Sequence, residues 1–361
     1  MVKIGVAGLG KMGLSHFAIV NAHPEAQVSV CDPSKMVLDV VGRYTGVPVF
    51  RDYEAMLASG IEAVIVATPS RLHGPMVRAA LEKGVHVFCE KPFCLDWRES
   101  EALAALAAEK GLVNQVGYHY RYAGPFRELK RLVEAGAIGQ VTHVLAEAYG
   151  PVVLKRQGST WRTERTEGGG CLYDYAAHPI NLVNWLFGRP ERAAGTVMTS
   201  IFSAQIDDEV YSTFTYEGGP SVQLSVSWSD ESYRKMSTRI TLTGTGGRLV
   251  ADRQDLQAYL RQPPAGLAGY SEGWNVKYTT ELTEGVRFNL RGEEYSAQID
   301  DFVEAARDGR QRTPNGFAEA AETDRTIGLM LADRAGESPE ALPSPRPAPP
   351  RRGWFGLKAA R

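Results

Sequence analysis

Three side chains in this sequence have the types and spacing for proton chemistry: Lys91, Asp174 and His178. Asp174 and His178 stand four apart in Gly168-Gly169-Gly170-Cys171-Leu172-Tyr173-Asp174-Tyr175-Ala176-Ala177-His178-Pro179-Ile180-Asn181. On a helix that spacing puts both on one face, where a carboxylate can orient or charge-stabilise an imidazole. Imidazole titrates near neutrality, which suits it to exchange a hydroxyl proton as a hydride leaves the same carbon. Lys91 lies in Glu90-Lys91-Pro92, directly after the apolar run 86–89. Each group also has a plainer reading. Asp174 and His178 could be an ion pair on a helix surface, with Pro179 disturbing the ladder, and Lys91 a surface ammonium neutralised by Glu90.

A second constellation points to a nucleotide. Gly8-Leu9-Gly10-Lys11-Met12-Gly13 follows a first strand-like run and opens a helical segment, and Asp32 ends the second run 19 residues beyond Gly13. In that order Gly8 permits a tight turn, Gly10 lets the backbone approach a pyrophosphate, and Gly13 allows close helix packing while the helix N-terminus faces the anion. Asp32 would hydrogen-bond the ribose hydroxyls of NAD and repel the extra phosphate of NADP. Ser34 and Lys35 follow and could pair with that phosphate if Asp32 turned away, so NAD is expected and NADP is kept open. Thr68-Pro69 ends the fourth run and Glu90-Lys91-Pro92 the fifth, and ligands of open α/β sheets bind outside such strand ends.

The elements that must position these residues are legible in the patterning. Apolar runs at 3–7, 27–31, 47–50, 63–67, 86–89 and 113–116 alternate with helical segments, which predicts a parallel sheet covered on both faces. After Tyr122 come a helix over 125–135, a strand over 140–149 and a helix over 172–187. Polar–apolar alternation at 210–216, 221–228, 237–243 and 247–251 predicts a mostly antiparallel open sheet, whose bare face a second subunit would cover. Helical periodicity returns at 295–307 and 317–335. The expected division is a dinucleotide-binding domain over 1–122, a substrate and oligomerisation domain over 123–335, and a Pro-rich basic tail over 336–361 without a core.

Composition narrows the class. The chain has 361 residues, more than one core normally serves, and its net charge of -2 gives no bias toward nucleic acid or anionic membrane. Cys31, Cys89, Cys94 and Cys171 form no C-x-x-C pair, so neither a zinc site nor a disulfide framework is expected. The strand-like start shows no signal-peptide pattern and no apolar run spans a bilayer, so a cytoplasmic protein is expected.

Together the glycine triplet, Ala67-Thr68-Pro69 with His73, Glu90-Lys91-Pro92 and residues 168–185 resemble the glucose-fructose oxidoreductase, inositol dehydrogenase and rhizopine-catabolism protein family. The resemblance covers residues 1 to about 334. It implies an N-terminal dinucleotide domain, a C-terminal α/β domain on a large open sheet, and a homodimer or homotetramer formed through that sheet. It places Gly8, Leu9, Gly10, Lys11, Met12, Gly13, Asp32, Thr68, Pro69, His73, Glu90 and Lys91 at the cofactor. It also places Lys91, Asp174 and His178 at a sugar-like substrate. His178 would be the general acid-base, Asp174 its partner, and Lys91 the donor that stabilises negative charge on the substrate oxygen; some relatives assign the base role to the lysine.

One departure from the family pattern stands out. Many polyol-oxidising members carry Asp where this chain has Asn181, and an amide also suits a carbonyl. Tyr120, Arg121, Trp161 and Arg162 are further pocket candidates, since an aromatic face stacks on a sugar or base and an arginine fork binds carboxylate or phosphate. With Arg165 these arginines favour a charged or nucleotide-linked sugar, an expectation that fails if Glu164 or Glu167 already pairs them. The expected activity is hydride transfer between a nicotinamide and the hydroxyl or keto carbon of a sugar derivative or cyclitol. Redox-assisted glycoside hydrolysis and a non-catalytic dinucleotide-binding regulator are the alternatives.

Overall fold

The computed structural model describes residues 1–154 and 164–337. Six short strands, β1 (Val2–Ala7), β2 (Ala26–Cys31), β3 (Val49–Phe50), β4 (Ala63–Val66), β5 (His86–Cys89) and β6 (Asn114–Val116), alternate with helices α1 (Lys11–Asn21), α2 (Lys35–Thr45), α3 (Tyr53–Ala58), α4 (His73–Glu82) and α5 (Trp97–Glu109). All pair in parallel in the order β3-β2-β1-β4-β5-β6. Helices on both faces explain the unbroken apolar runs: Ile4, Val6, Val30, Val64, Ile65 and Val87 are all fully buried. The order reverses between β1 and β4, and the crevice at such a switch is where open α/β sheets take their ligands. Ser34 and Asp52 cap α2 and α3 with side-chain oxygens, whereas α1 starts at Gly10 with no side-chain cap.

The second half begins with α6 (Gly124–Glu134), β7 (Val141–Tyr149) and α7 (Ala177–Phe187). It continues with β8 (Arg192–Thr199), β9 (Glu209–Thr215), β10 (Ser221–Ser227), β11 (Ser237–Gly244), β12 (Gly247–Ala251), β13 (Asp255–Leu260) and β14 (Gly273–Tyr278), a short helix α8 (Thr279–Leu282), α9 (Glu293–Asp308) and α10 (Phe317–Ala335). Its eight-stranded sheet runs β14-β13-β12-β11-β7-β10-β9-β8, antiparallel throughout except where β7 lies parallel to β10. Val144, Ala146 and Ala148 of β7 turn inward and are buried, and α6, α7 and α10 lie against the sheet. Among the described residues the other face is open: Tyr259, Trp274, Val276 and Tyr278 are exposed on it, with Tyr259 opposite Trp274. No helix of the described residues is long and apolar enough to cross a membrane.

The last two long helices return to the first sheet. Ile299, Phe302 and Val303 of α9 share one core with Ile4, Val6, Phe88 and Val113, and α10 packs on both α5 and α7. Asp324 of α10 is the buried tie, accepting from Cys94 N at 2.9 Å and Ser100 Oγ at 2.5 Å. Burial holds its carboxyl up at about 7, against hydrogen bonds from Ser100 and Cys94 that favour the charged form. A carboxyl with its folded pKa above its unfolded one binds more protons in the native state. Its stabilising contribution is therefore present below about pH 4 and declines as pH rises to about 7. Asp324→Asn is expected to remove this slope, so urea unfolding should show the variant gaining about 1–3 kcal/mol on the unmodified protein between pH 4.5 and pH 8. Equal differences at both pH values would assign the slope to other groups.

Candidate active site

The glycine loop between β1 and α1 is built as a cradle. Gly8 sits at φ +89°, and a Cβ there would lie 2.7 Å from Ala67 O, while a Cβ on Gly13 would lie 1.7 Å from Gly8 O. Above Gly10 there is open space, with nothing within 4 Å of a Cβ position. The uncapped start of α1, at Lys11, Met12 and Gly13, therefore faces an approachable volume with free N–H groups and the positive end of the helix dipole. Asp32 closes the cradle from β2: its Oδ2 accepts from Leu9 N at 2.7 Å and its Oδ1 from Ser34 N at 2.8 Å. These features fit a dinucleotide.

Two of the expected cofactor residues brace the site from within. His73 is buried, with Nδ1 2.8 Å from Pro92 O and Nε2 3.0 Å from Thr68 O, so it spans the ends of β4 and β5. Burial lowers its pKa despite those two carbonyls. Glu90 accepts from His16 at 2.6 Å through Oε1 and from Lys91 N at 3.1 Å through Oε2. Burial would raise its pKa, but the His16 hydrogen bond and the charges of His16 and Lys91 leave it lowered. Both residues therefore fix the loops that carry Thr68, Pro69 and Lys91, and their polar atoms are already engaged. The Lys91–Pro92 peptide is cis.

Lys91 reaches across to the second half. Its Nζ donates to Asp174 Oδ1 at 2.5 Å and to Asp174 O at 2.9 Å, and both side chains are nearly enclosed. This corrects the expected partnership. Residues Leu172–Ala176 are wound as one π-helical turn ahead of α7, so Asp174 and His178 do not follow α-helical i, i+4 geometry, and the carboxylate serves the lysine. Among the described residues, His178 Nδ1 has no hydrogen-bonding partner. Its ring instead meets those of Tyr118, His119 and Tyr120 edge-on, at 6.1, 5.1 and 5.2 Å. Burial, then the charge of Lys91, pushes its pKa well below the ordinary imidazole value, so it is neutral at neutral pH. A neutral base beside a carboxylate-anchored ammonium can accept a hydroxyl proton while the ammonium holds the oxygen.

Tyr120, a pocket candidate, packs edge-on against His178, and His119, which sequence reasoning missed, stands beside it. Its only advance signal was position, three residues past the last parallel strand. Arg121 and Asn181 are a second correction. Arg121 pairs through Nη1 with Glu319, donates through Nε to Asn181 Oδ1 at 2.9 Å, and lies over the Trp185 ring. Asn181 Nδ2 donates to Thr323 Oγ1 at 3.1 Å. The guanidinium fork and the amide thus brace the 3₁₀ turn His119–Tyr122 and α7 against α10, because buried polar groups take the nearest partners available. Trp161 and Arg162 lie outside the described residues.

A Rossmann-type cradle joined to a Lys–Asp pair and a buried histidine defines a dinucleotide-dependent oxidoreductase class. Residues 2–118 match the model of the oxidoreductase family with an NAD-binding Rossmann fold, and residues 126–250 match the GFO/IDH/MocA C-terminal domain. The chain belongs to the GFO/IDH/MocA oxidoreductase family. It is 31% identical, over 57% of its length, to scyllo-inositol 2-dehydrogenase (NAD(+)) of Bacillus subtilis (strain 168), and that match spans 61% of the relative. It is 24% identical to inositol 2-dehydrogenase of Rhizobium meliloti (strain 1021) over 92% of this chain and 96% of that one. Among solved structures, levoglucosan dehydrogenase in complex with NADH and levoglucosan superposes with a TM-score of 0.81 at 22% identity, covering 93% of this chain and 98% of that one.

Proposed function

We propose that this protein is an NAD(P)-dependent dehydrogenase acting on a CH–OH carbon of a neutral sugar or cyclitol. The observation that carries the reading is the Lys91–Asp174 pair beside neutral, buried His178, at the strand ends that also hold the glycine cradle. The nicotinamide, when bound, takes or gives the hydride. Lys91 Nζ donates to the reacting oxygen and favours the negative charge that grows on it. Asp174 holds the lysine in place. His178 accepts the hydroxyl proton in oxidation and returns it in reduction.

Among the arginines that pointed to a charged or nucleotide-linked sugar, Arg121 no longer supports that reading, and Arg162 lies outside the described residues. Arg121 is paired with Glu319. A buried arginine with its own carboxylate does not select an anion. Relatives named for inositols and a solved structure holding levoglucosan fit a neutral ring, while other relatives are named for a UDP-sugar and an anhydro-N-acetylneuraminate. A second copy packed on the open face of Tyr259, Trp274, Val276 and Tyr278 belongs to the same reading, as does a reducing, cytoplasmic setting for four buried, unpaired cysteines.

The test is a turnover panel of scyllo-inositol, myo-inositol, levoglucosan, xylose, glucose, a hexuronate and a nucleotide sugar, each with NAD and with NADP, followed by nicotinamide absorbance. A neutral ring with NAD is expected to give the highest kcat/KM, Asp32 being placed to disfavour the NADP phosphate. Stoichiometric NADH release separates this activity from redox-assisted glycoside hydrolysis. Absence of reduction with every compound would leave the regulator reading in its place.

A further inference from the structure

His119 has no part in the mechanism above, yet it is built into the same site. It lies just past β6, whose Val116 pairs with Cys89 at the strand end leading to Lys91, and it is 6% exposed. Its ring stacks on Tyr295 of α9 at 4.2 Å with an 18° interplanar angle, leans on Tyr120 at 4.3 Å, and meets His178 at 5.1 Å. Neither ring nitrogen has a hydrogen-bonding partner among the described residues, and neither is sealed from solvent as His178 Nδ1 is. A phenyl ring would stack on Tyr295 as well. What the imidazole adds is its two nitrogens, opening beside the catalytic histidine.

We propose that His119 hydrogen-bonds a second substrate oxygen, on a carbon near the one oxidised, and thereby selects polyhydroxylated rings; this rests on the dehydrogenase reading of the site. The reacting oxygen is held by Lys91 and His178, and a second imidazole stands against His178 with ring centroids 5.1 Å apart. Burial, with the charge of Lys91 added and that of Glu90 opposing, keeps His119 neutral, so it offers one donor and one acceptor. A hydroxyl is itself a donor and an acceptor and satisfies either nitrogen. A carboxylate or phosphate could use only the donor.

The experiment compares unmodified protein with His119→Phe, which keeps the stack and removes both nitrogens, and with His119→Gln, which keeps a donor and an acceptor. Each is assayed on the neutral polyol of the panel with the highest kcat/KM, alongside NADH titration by fluorescence and thermal melting. His119→Phe is expected to raise KM about 10- to 100-fold, with kcat changed less and NADH affinity within twofold, and His119→Gln to recover most of the loss. Unchanged KM in a folded His119→Phe would overturn the assignment, as would a fall in NADH affinity matching the rise in KM. Should His119→Phe fail to fold, His119→Met takes its place, and equal KM values in the Met and Gln variants would overturn it too. Failure of the dehydrogenase reading shows separately, as no turnover by the unmodified protein, and withdraws this assignment with it.

Discussion

His178→Ala is expected to lower kcat by about 10²- to 10⁴-fold while NADH affinity stays within a factor of two, because in the proposed function the imidazole acts on the substrate hydroxyl and not on the dinucleotide. Lys91→Ala should cost a similar factor and, unlike His178→Ala, should also lower the melting temperature, since it removes the cation from nearly buried Asp174. The pH profile gives a second check. Burial and Lys91 depress the pKa of His178, so the free base persists through the neutral range and the acid limb of the oxidation rate falls below the ordinary imidazole range. Protonation on that limb removes the acceptor, so the rate drops as pH falls through it. In His178→Ala the limb should vanish. Turnover in His178→Ala within a few-fold of the unmodified enzyme would take His178 out of the acid-base role.

The glycine cradle allows a sharper contrast. Gly13→Ala places a methyl group 1.7 Å from Gly8 O, so the turn must open, and both NADH binding and melting temperature should fall. Gly10→Ala meets no atom within 4 Å, so the protein should fold with an unchanged melting temperature. Its methyl group nevertheless occupies the volume a pyrophosphate would approach, and calorimetry should show NADH affinity reduced by about 100-fold or more. Gly10→Ala binding NADH as tightly as the unmodified protein would move the pyrophosphate elsewhere.

Local patterning predicted the first sheet nearly strand for strand, because parallel strands buried on both faces leave unmistakable apolar runs at even spacing. It missed β8, β13 and β14. In β14 the large side chains Trp274, Val276 and Tyr278 point to the open face while Gly273, Asn275 and Lys277 lie between them, so the alternation runs opposite to that of a half-buried strand. The positions of the candidate residues Lys91 and Asp32 at strand ends were legible for the same topological reason. What sequence could not supply was the choice of partner. Asp174 is four residues from His178 and 83 from Lys91, and only the π-helical turn decides between them. Likewise Arg121 meets Glu319 across 198 residues of chain, a pairing that no local spacing signals.

The return of α9 to the first sheet bears on how the chain acquires its shape during synthesis. Phe88 and Val113 are covered by Phe302 and its neighbours, so the nucleotide-binding half keeps an open apolar flank until residues 293–308 have left the ribosome. The strands nearest the N-terminus must wait through the whole second sheet for their last contacts. Such long-range closure is intrinsically slow. A nascent chain stalled before α9 would therefore expose the same surface that a chaperone recognises, and the nucleotide cradle would mature late although its residues are made first.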